Sequence, residues 1–229
     1  MDSTFVVGID VGGQTSKLGV VDARGAVLAQ TVIRTDTYSE VEPYIAELAE
    51  AVKKIIRESG TEGKVRGIGV GAPNGNYYTG TIENAPNLLW GRQRVEFAKL
   101  LSEAMDGLPV ALTNDANAAA VGEMTYGAAR GMKNFIMITL GTGVGSGIVI
   151  NGEVVYGHDG FAGELGHVAA VRNNGRTCGC GKTGCLETYA SATGVARTAR
   201  EWLELSDEPS VLRSLDTIAS KDVYEAAKE

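Results

Sequence analysis

"FVVGIDVGGQTSKLGVVDARGAVLAQTVI", Phe5–Ile33, reads as strand, glycine turn, strand, Asp-Ala-Arg-Gly turn, strand. The same order returns in "NFIMITLGTGVGSGIVINGEVVYG", Asn134–Gly157, where Asn151-Gly152 is a strong two-residue hairpin signal. One unit therefore occurs twice, about a domain's length apart. Two such units could face each other across a cleft and hold a nucleotide's phosphates from both sides. Hairpins of this kind are common, so the repeat alone does not exclude two unrelated ones.

Between the two copies the chain alternates helix and strand. "SEVEPYIAELAEAVKKIIRES", Ser39–Ser59, spaces Val41, Ile45, Leu48, Val52, Ile55 and Ile56 as one helix face. "VRGIGVGAP", from Val65, is a short apolar strand that runs into a glycine- and asparagine-rich loop. A second helix is predicted over Val95–Met105. "LPVALTND" is a buried strand ending at Asn114-Asp115, and "ANAAAVGEMTYGAA" is a helix with Gly127 near its end. The order of elements is that of an α/β protein.

Apolar residues make up 44% of the 229, ample for a core, and the length allows one large domain or two modest ones. The net charge of −7 argues against a nucleic-acid-binding face. The longest apolar run, Phe135–Ile150, is broken by Gly141, Gly143, Gly145 and Gly147, so no stretch reads as a membrane span. Met1-Asp2-Ser3-Thr4 is polar and gives no secretory signal, which points to the cytoplasm.

"GRTCGCGKTGCLE", Gly175–Glu187, holds all three cysteines of the chain within eight positions. An odd number leaves one thiol over, and Cys178 and Cys180 are too close in sequence to bridge without strain. A tetrahedral Zn²⁺ site is the better reading, with glycines that let the backbone fold tightly and a histidine as fourth ligand. Of the two histidines, His167 is nearer than His158 and follows "GELG". The set is therefore His167, Cys178, Cys180 and Cys185, with the zinc structural because no position is open to water.

Taken together these stretches resemble the ROK family of sugar kinases and sugar-responsive repressors, built on the actin-like ATPase, ribonuclease H-like, α/β fold. "GIDVGGQTSKLGVVD" is similar to the family's first phosphate motif, and "LGTGVGSGIVINGEVVYG" to its second. "GELGH" with "CGCGKTGCLE" is similar to its zinc and sugar signature, and "APNL" and "TNDANAAAVGE" to its sugar-binding and catalytic segments. The glucokinases are the members it resembles most. Two departures stand out: Gln14 where threonine is usual, with Thr15 one place later, and Asn74 where many members carry glycine.

The resemblance implies two α/β domains around a cleft. A small N-terminal one, residues 1–114, holds the first phosphate motif and part of the sugar site. A larger one, residues 115–229, is incomplete and holds the second phosphate motif and the zinc and sugar motif. It implies ATP-dependent phosphorylation of a hexose, D-glucose to glucose 6-phosphate. The alternatives are a kinase for another hexose or an N-acylated amino sugar, or a sugar-binding regulator lacking its DNA-binding arm. Partners beyond the hexose are expected to be copies of the chain, as a homodimer or homotetramer in the full-length form.

Asp115 ends a strand and begins a helix, where an aspartate is equally at home as a general base or as a plain N-cap. The resemblance assigns it the base. It assigns the sugar to Asn87, Asn114, Glu164, His167 and Glu187 as well. Glu164 and His167, three apart, share a side if their stretch is helical. Asp10 is read as a Mg²⁺ ligand through water, or else as a turn-stabilising aspartate. Backbone N–H groups of Gly12, Gly13, Gly141, Thr142 and Gly143, with the Thr15 hydroxyl, are expected at the phosphates. Trp90, Trp202 and a helix over Tyr189–Leu203 are expected in core or interface.

"SKDVYEAAKE" ends the chain inside a helix begun near Ser220, with no glycine stop. The resemblance implies a further segment with the adenosine cradle and a final helix. The expectation is a truncated chain that binds ATP poorly, turns over slowly and exposes apolar surface.

Overall fold

The computed structural model describes residues 4–228. Met1–Ser3, part of the polar start, and the terminal Glu229 lie outside the described residues. Contacts divide the chain into two compact units. The first comprises residues 4–135 and 147–162, the second residues 136–146 and 163–228.

The first unit is built on a five-stranded sheet. Its strands are β1 (Phe5–Val11), β2 (Thr15–Asp22), β3 (Val27–Arg34), β4 (Val65–Ala72) and β7 (Val110–Asn114), in the order β3-β2-β1-β4-β7. A two-stranded piece, β5 (Gly75–Asn76) and β6 (Thr81–Ile82), follows β4. The glycine turn folds β1 and β2 into an antiparallel hairpin from Phe5↔Asp22 to Val11↔Ser16. β4 runs parallel to β1, and β7 parallel to β4. Parallel pairs need a crossover, and the helices α1 (Val41–Glu58) and α2 (Phe97–Ala104) supply it.

Strand alternation decides which face is covered. Val7, Ile9 and Val11 of β1, Leu18 and Val20 of β2, and Ile68 and Val70 of β4 are buried with Leu48, Val52 and Ile55 of α1 and Phe97 and Leu101 of α2. Trp90 completes this core, stacked between Tyr44 at 5.1 Å and Phe97 at 5.8 Å between ring centroids. α1 keeps the apolar spacing read from the sequence and starts two residues later than expected, after an extended Glu40. α2 is likewise shorter than its expected span, Phe97–Ala104, with Val95 paired to Ile82 as an isolated bridge instead. α3 (Asp115–Tyr126) follows β7 directly.

The second glycine hairpin is β8 (Phe135–Leu140) and β9 (Val144–Ile150), extended by β10 (Glu153–Val154) in the order β10-β9-β8. In the second unit a 3-10 turn, Leu165–His167, leads to the cysteine knuckle. After it come α4 (Glu187–Ala190), α5 (Ala192–Leu205), a 3-10 turn (Val211–Ser214) and α6 (Ser220–Ala226). The single helix expected over Tyr189–Leu203 is thus two. Ser191 is extended between them, and its hydroxyl caps α5 by accepting from the Gly194 N–H at 3.0 Å. Trp202, expected in core or interface, is 68% exposed in this structure.

Candidate functional site

Because β1, β4 and β7 are parallel, their carboxyl ends share one edge of the sheet, the edge at which open α/β sheets hold ligands. The register puts Asp10 beside Gly71, and Ala72 beside Asn114. Gly71 is closely approached: a Cβ there would lie 3.1 Å from Ala118 Cβ and 3.5 Å from Asp115 Cα, so α3 starts directly over β4.

Asn114 is the N-cap of α3, its side-chain oxygen accepting from the Ala116 N–H at 2.9 Å. One Asp115 oxygen accepts from the same N–H at 2.8 Å. The cap is therefore made by Asn114 without Asp115, which leaves the aspartate's second oxygen outside that bond. Asp115 retains solvent access, yet the protein packed around it raises its carboxyl above the usual carboxylate range. The Ala116 N–H opposes that rise, and the like charge of Asp10 adds to it.

The first glycine turn sits at the same edge. The Gly12 N–H closes it onto the Thr15 carbonyl at 3.1 Å. Gly13 lies so close to the "APNL" segment that a Cβ there would be 2.8 Å from the Asn87 carbonyl oxygen. Gln14 contributes its backbone, its carbonyl accepting from the Thr35 N–H at 2.9 Å. Asn74 has φ 51°, the left-handed region that glycine and asparagine share. Its amide donates to the carbonyls of Glu83 at 3.0 Å and Asn84 at 2.9 Å, which closes the loop that carries Asn87.

In the second unit, residues 168–171 run against 184–186. Leu186 N–H donates to the Val168 carbonyl at 2.9 Å, Ala170 N–H to the Gly184 carbonyl at 2.8 Å, and Ala169 bridges Cys185. This pairing brings His167 to Cys185. Gly184, at φ 77°, leaves no room for a side chain, because a Cβ would stand 1.8 Å from the Val171 carbonyl oxygen. Cys178 and Cys180 come round on a tight turn in which Gly181 N–H donates to the Cys178 carbonyl at 3.0 Å.

The result is a cluster of His167, Cys178, Cys180 and Cys185 whose ligand atoms all lie within 4.8 Å of one another. Cys180 and Cys185 sulfurs are 3.7 Å apart and unbonded, and Cys178 Sγ is 3.6 Å from His167 Nδ1. Tetrahedral Zn²⁺, with bonds of about 2.3 Å to sulfur and 2.0–2.1 Å to nitrogen, needs edges of roughly 3.8 and 3.6 Å. The donor set and spacing fit zinc. Burial pushes the Cys178 thiol up to about 12 and raises Cys185, whereas a backbone N–H from Lys182 lowers Cys180. A bound cation would hold all three as thiolates.

With Nδ1 toward the cluster, His167 Nε2 points at Glu164, 3.9 Å from its Oε2. The two share a side as expected, although Glu164 precedes the 3-10 turn and does not sit inside a helix. Glu187 opens α4 and sends Oε2 to the Val144 N–H at 3.0 Å. The Gly141 N–H closes the second glycine turn onto the Gly143 carbonyl at 3.0 Å. Each unit thus gathers its own group. Asp10, Gly12, Gly13, Asn87, Asn114 and Asp115 belong to the first, and Gly141–Gly143, Glu164, His167, Glu187 and the cysteines to the second.

Several residues that shape these groups gave no signal in the sequence. Ser16, opposite the turn's end, is fully buried and hydrogen-bonded at 2.7 Å to both Thr35 and Tyr44 hydroxyls. Asn76 donates to the Asp159 carbonyl at 2.9 Å and pins the loop after β4. Arg176 ties the knuckle to α5 through Glu201 at 2.5 Å and to α4 through the Thr188 carbonyl at 2.7 Å, with its guanidinium over Tyr189.

Residues 6–229 match the model of the ROK family. The chain belongs to the ROK family. It is 41% identical to a glucokinase of Halalkalibacterium halodurans over 232 residues, covering 99% of this chain and 69% of that protein. A ROK glucokinase from Streptomyces griseus, solved with glucose and AMPPNP, superposes with a TM-score of 0.75 at 34% identity, over 98% of this chain and 71% of that one. A ROK transcriptional regulator, homologous to the Escherichia coli MLC protein, superposes at 0.85 and 26% identity over 98% of this chain and 56% of that one. The mixed α/β structure is therefore that of ROK glucokinases over most of their length, and both sugar kinases and regulators are its relatives. Among the described residues no helix is long and apolar enough to cross a membrane.

Proposed function

We propose that this ROK protein is an ATP-dependent hexose kinase that converts D-glucose to glucose 6-phosphate, with Asp115 as general base. The observation that carries the reading is the setting of Asp115. It stands where β7 meets α3, at the sheet edge that also carries Asp10 and the first glycine turn, near enough to Asp10 for the two charges to interact, with the helix cap already made by Asn114. A base of raised pKa on a fixed element suits abstraction of a hydroxyl proton as phosphoryl transfer proceeds.

Each unit then has its own tasks. In the first, Asn87 and Asn114 orient sugar hydroxyls, and Asp10 holds Mg²⁺ through water. In the second, Glu164, His167 and Glu187 read further hydroxyls. The N–H groups of Gly12 and Gly141 already close their own turns, so phosphate contact falls chiefly on Gly13, Thr142 and Gly143, with the Thr15 hydroxyl. Zinc would supply rigidity at the knuckle, and the chain's own residues carry the chemistry. A domain boundary in the chain near Asn114-Asp115, between residues 1–114 and 115–229, belongs to the same proposal, with Asp115 working alongside the first unit's residues.

The test compares kcat/KM for glucose, fructose, mannose and N-acetylmannosamine with ATP and Mg²⁺. Glucose is expected to lead. A lead for N-acetylmannosamine would shift the proposal to an amino-sugar kinase. The similarity to a regulator supports a second reading, sugar binding without transfer, and saturable glucose binding with no phosphorylation of any of the four would favour it.

A further inference from the structure

Within the second unit, the turn between β8 and β9 is laced to the segment that leaves the cysteine knuckle. Glu187 Oε2 accepts from the Val144 N–H at 3.0 Å. The Ala192 N–H donates to the Gly141 carbonyl at 2.8 Å, and the Thr193 hydroxyl to the Thr142 carbonyl at 2.9 Å. Three backbone groups in a run of four residues are thus fixed by residues 187–193. The approach is close on both sides. A Cβ on Gly143 would lie 2.2 Å from Glu187 Oε2, and one on Gly166, next to His167, would lie 2.2 Å from the Val144 carbonyl oxygen.

Glu187 also faces the metal cluster, with Oε1 3.7 Å from Cys178 Sγ. It follows Cys185 by two residues and opens α4. Its two oxygens therefore address the knuckle and the glycine turn at once. From this lacing we infer that the metal knuckle sets the conformation of the 141–144 turn, with Glu187 as the positioning residue between them. A metal ion fixes Cys178 and Cys185 relative to each other and so fixes the carboxylate that holds Val144. Losing the ion frees the segment that supplies all three bonds. Glu187 thereby acquires a task besides the sugar contact proposed above, and the functional meaning of that task rests on the proposed phosphate role of the turn.

Hydrogen exchange of peptides spanning 140–146 tests the coupling directly, in zinc-loaded protein, after chelation, and in Glu187→Ala and Glu187→Gln. A hydrogen bond to a charged acceptor is worth enough that its loss should speed local exchange roughly tenfold or more. Chelation and Glu187→Ala are each expected to do so, and chelation should add little to Glu187→Ala. Glu187→Gln keeps an acceptor for the Val144 N–H and should retain much of the parent protection. Should chelation unfold the chain, Glu187→Ala still bearing one zinc carries the test alone. Exchange at 141–144 that stays at the parent level in metal-loaded Glu187→Ala overturns the inference. Thr193→Val separates it from the kinase reading, because it loosens Thr142 and leaves Glu187 in place. A raised KM for ATP with unchanged KM for hexose supports the phosphate role of the turn. Coupled exchange with ATP affinity unmoved by Thr193→Val upholds the coupling and refutes the phosphate role of the turn.

Discussion

Replacing Asp115 by asparagine separates catalysis from stability. The amide oxygen of asparagine can still accept from the Ala116 N–H, and Asn114 caps α3 in any case, so the local structure is retained. What disappears is the negative charge and the proton acceptor. Loss of a general base costs roughly 10²–10⁴ in kcat, equivalent to about 2.7–5.5 kcal/mol in the barrier. Stability should move the other way. The protein packed around the Asp115 carboxyl raises it in the folded protein, the Ala116 N–H opposes that rise, and the charge of Asp10 adds to it. A group so raised gives its full stability below the unfolded pKa and loses it as pH rises through the folded value. At neutral pH the ionised Asp115 therefore weighs against folding, and Asp115→Asn should melt higher than the parent. The difference should close as pH falls toward ~4, the ordinary aspartate value. The acid limb of kcat should also lie above the pH expected of an unperturbed aspartate. A coupled assay for glucose 6-phosphate, with thermal melts at neutral and acid pH, measures all of this. Turnover near the parent rate would refute the base. A lower melting temperature at neutral pH would refute the account of the raised carboxyl.

Metal analysis should find one zinc per chain, and Cys180→Ser, which removes an exposed thiol at little packing cost, should lose it; a variant that keeps its zinc would remove Cys180 from the ligand set. Gly184→Ala puts a methyl into the Val171 carbonyl at a left-handed backbone position, so zinc affinity should fall, as metal titration would show. Ser16→Ala strips the shared partner from the buried hydroxyls of Thr35 and Tyr44 and should cost roughly 1–3 kcal/mol in urea unfolding. Unchanged stability would mean that those two hydroxyls satisfy each other.

Local spacing along the chain accounts for the features that could be read before folding. The two glycine hairpins are legible because alternating strands and a Gly-rich turn are contiguous. α1 is legible because Val41, Ile45, Leu48, Val52 and Ile55 repeat with the helix period. The knuckle is legible because three sulfurs within eight positions can reach one point only by local folding. Even Asn74, which stands out in the sequence, is explained by one local angle. Contacts that have no such period emerge from the folded packing alone. Glu187 meets Val144 across 43 positions, and Asn76 meets Asp159 across 83. Parallel register, set by packing of α1 and α2 on the sheet, is what brings Asp10, Gly71 and Asn114 to one edge. A turn or a helix face is fixed by neighbours in the chain, whereas a hydrogen bond between distant segments depends on how the whole core packs and leaves no pattern in either segment alone.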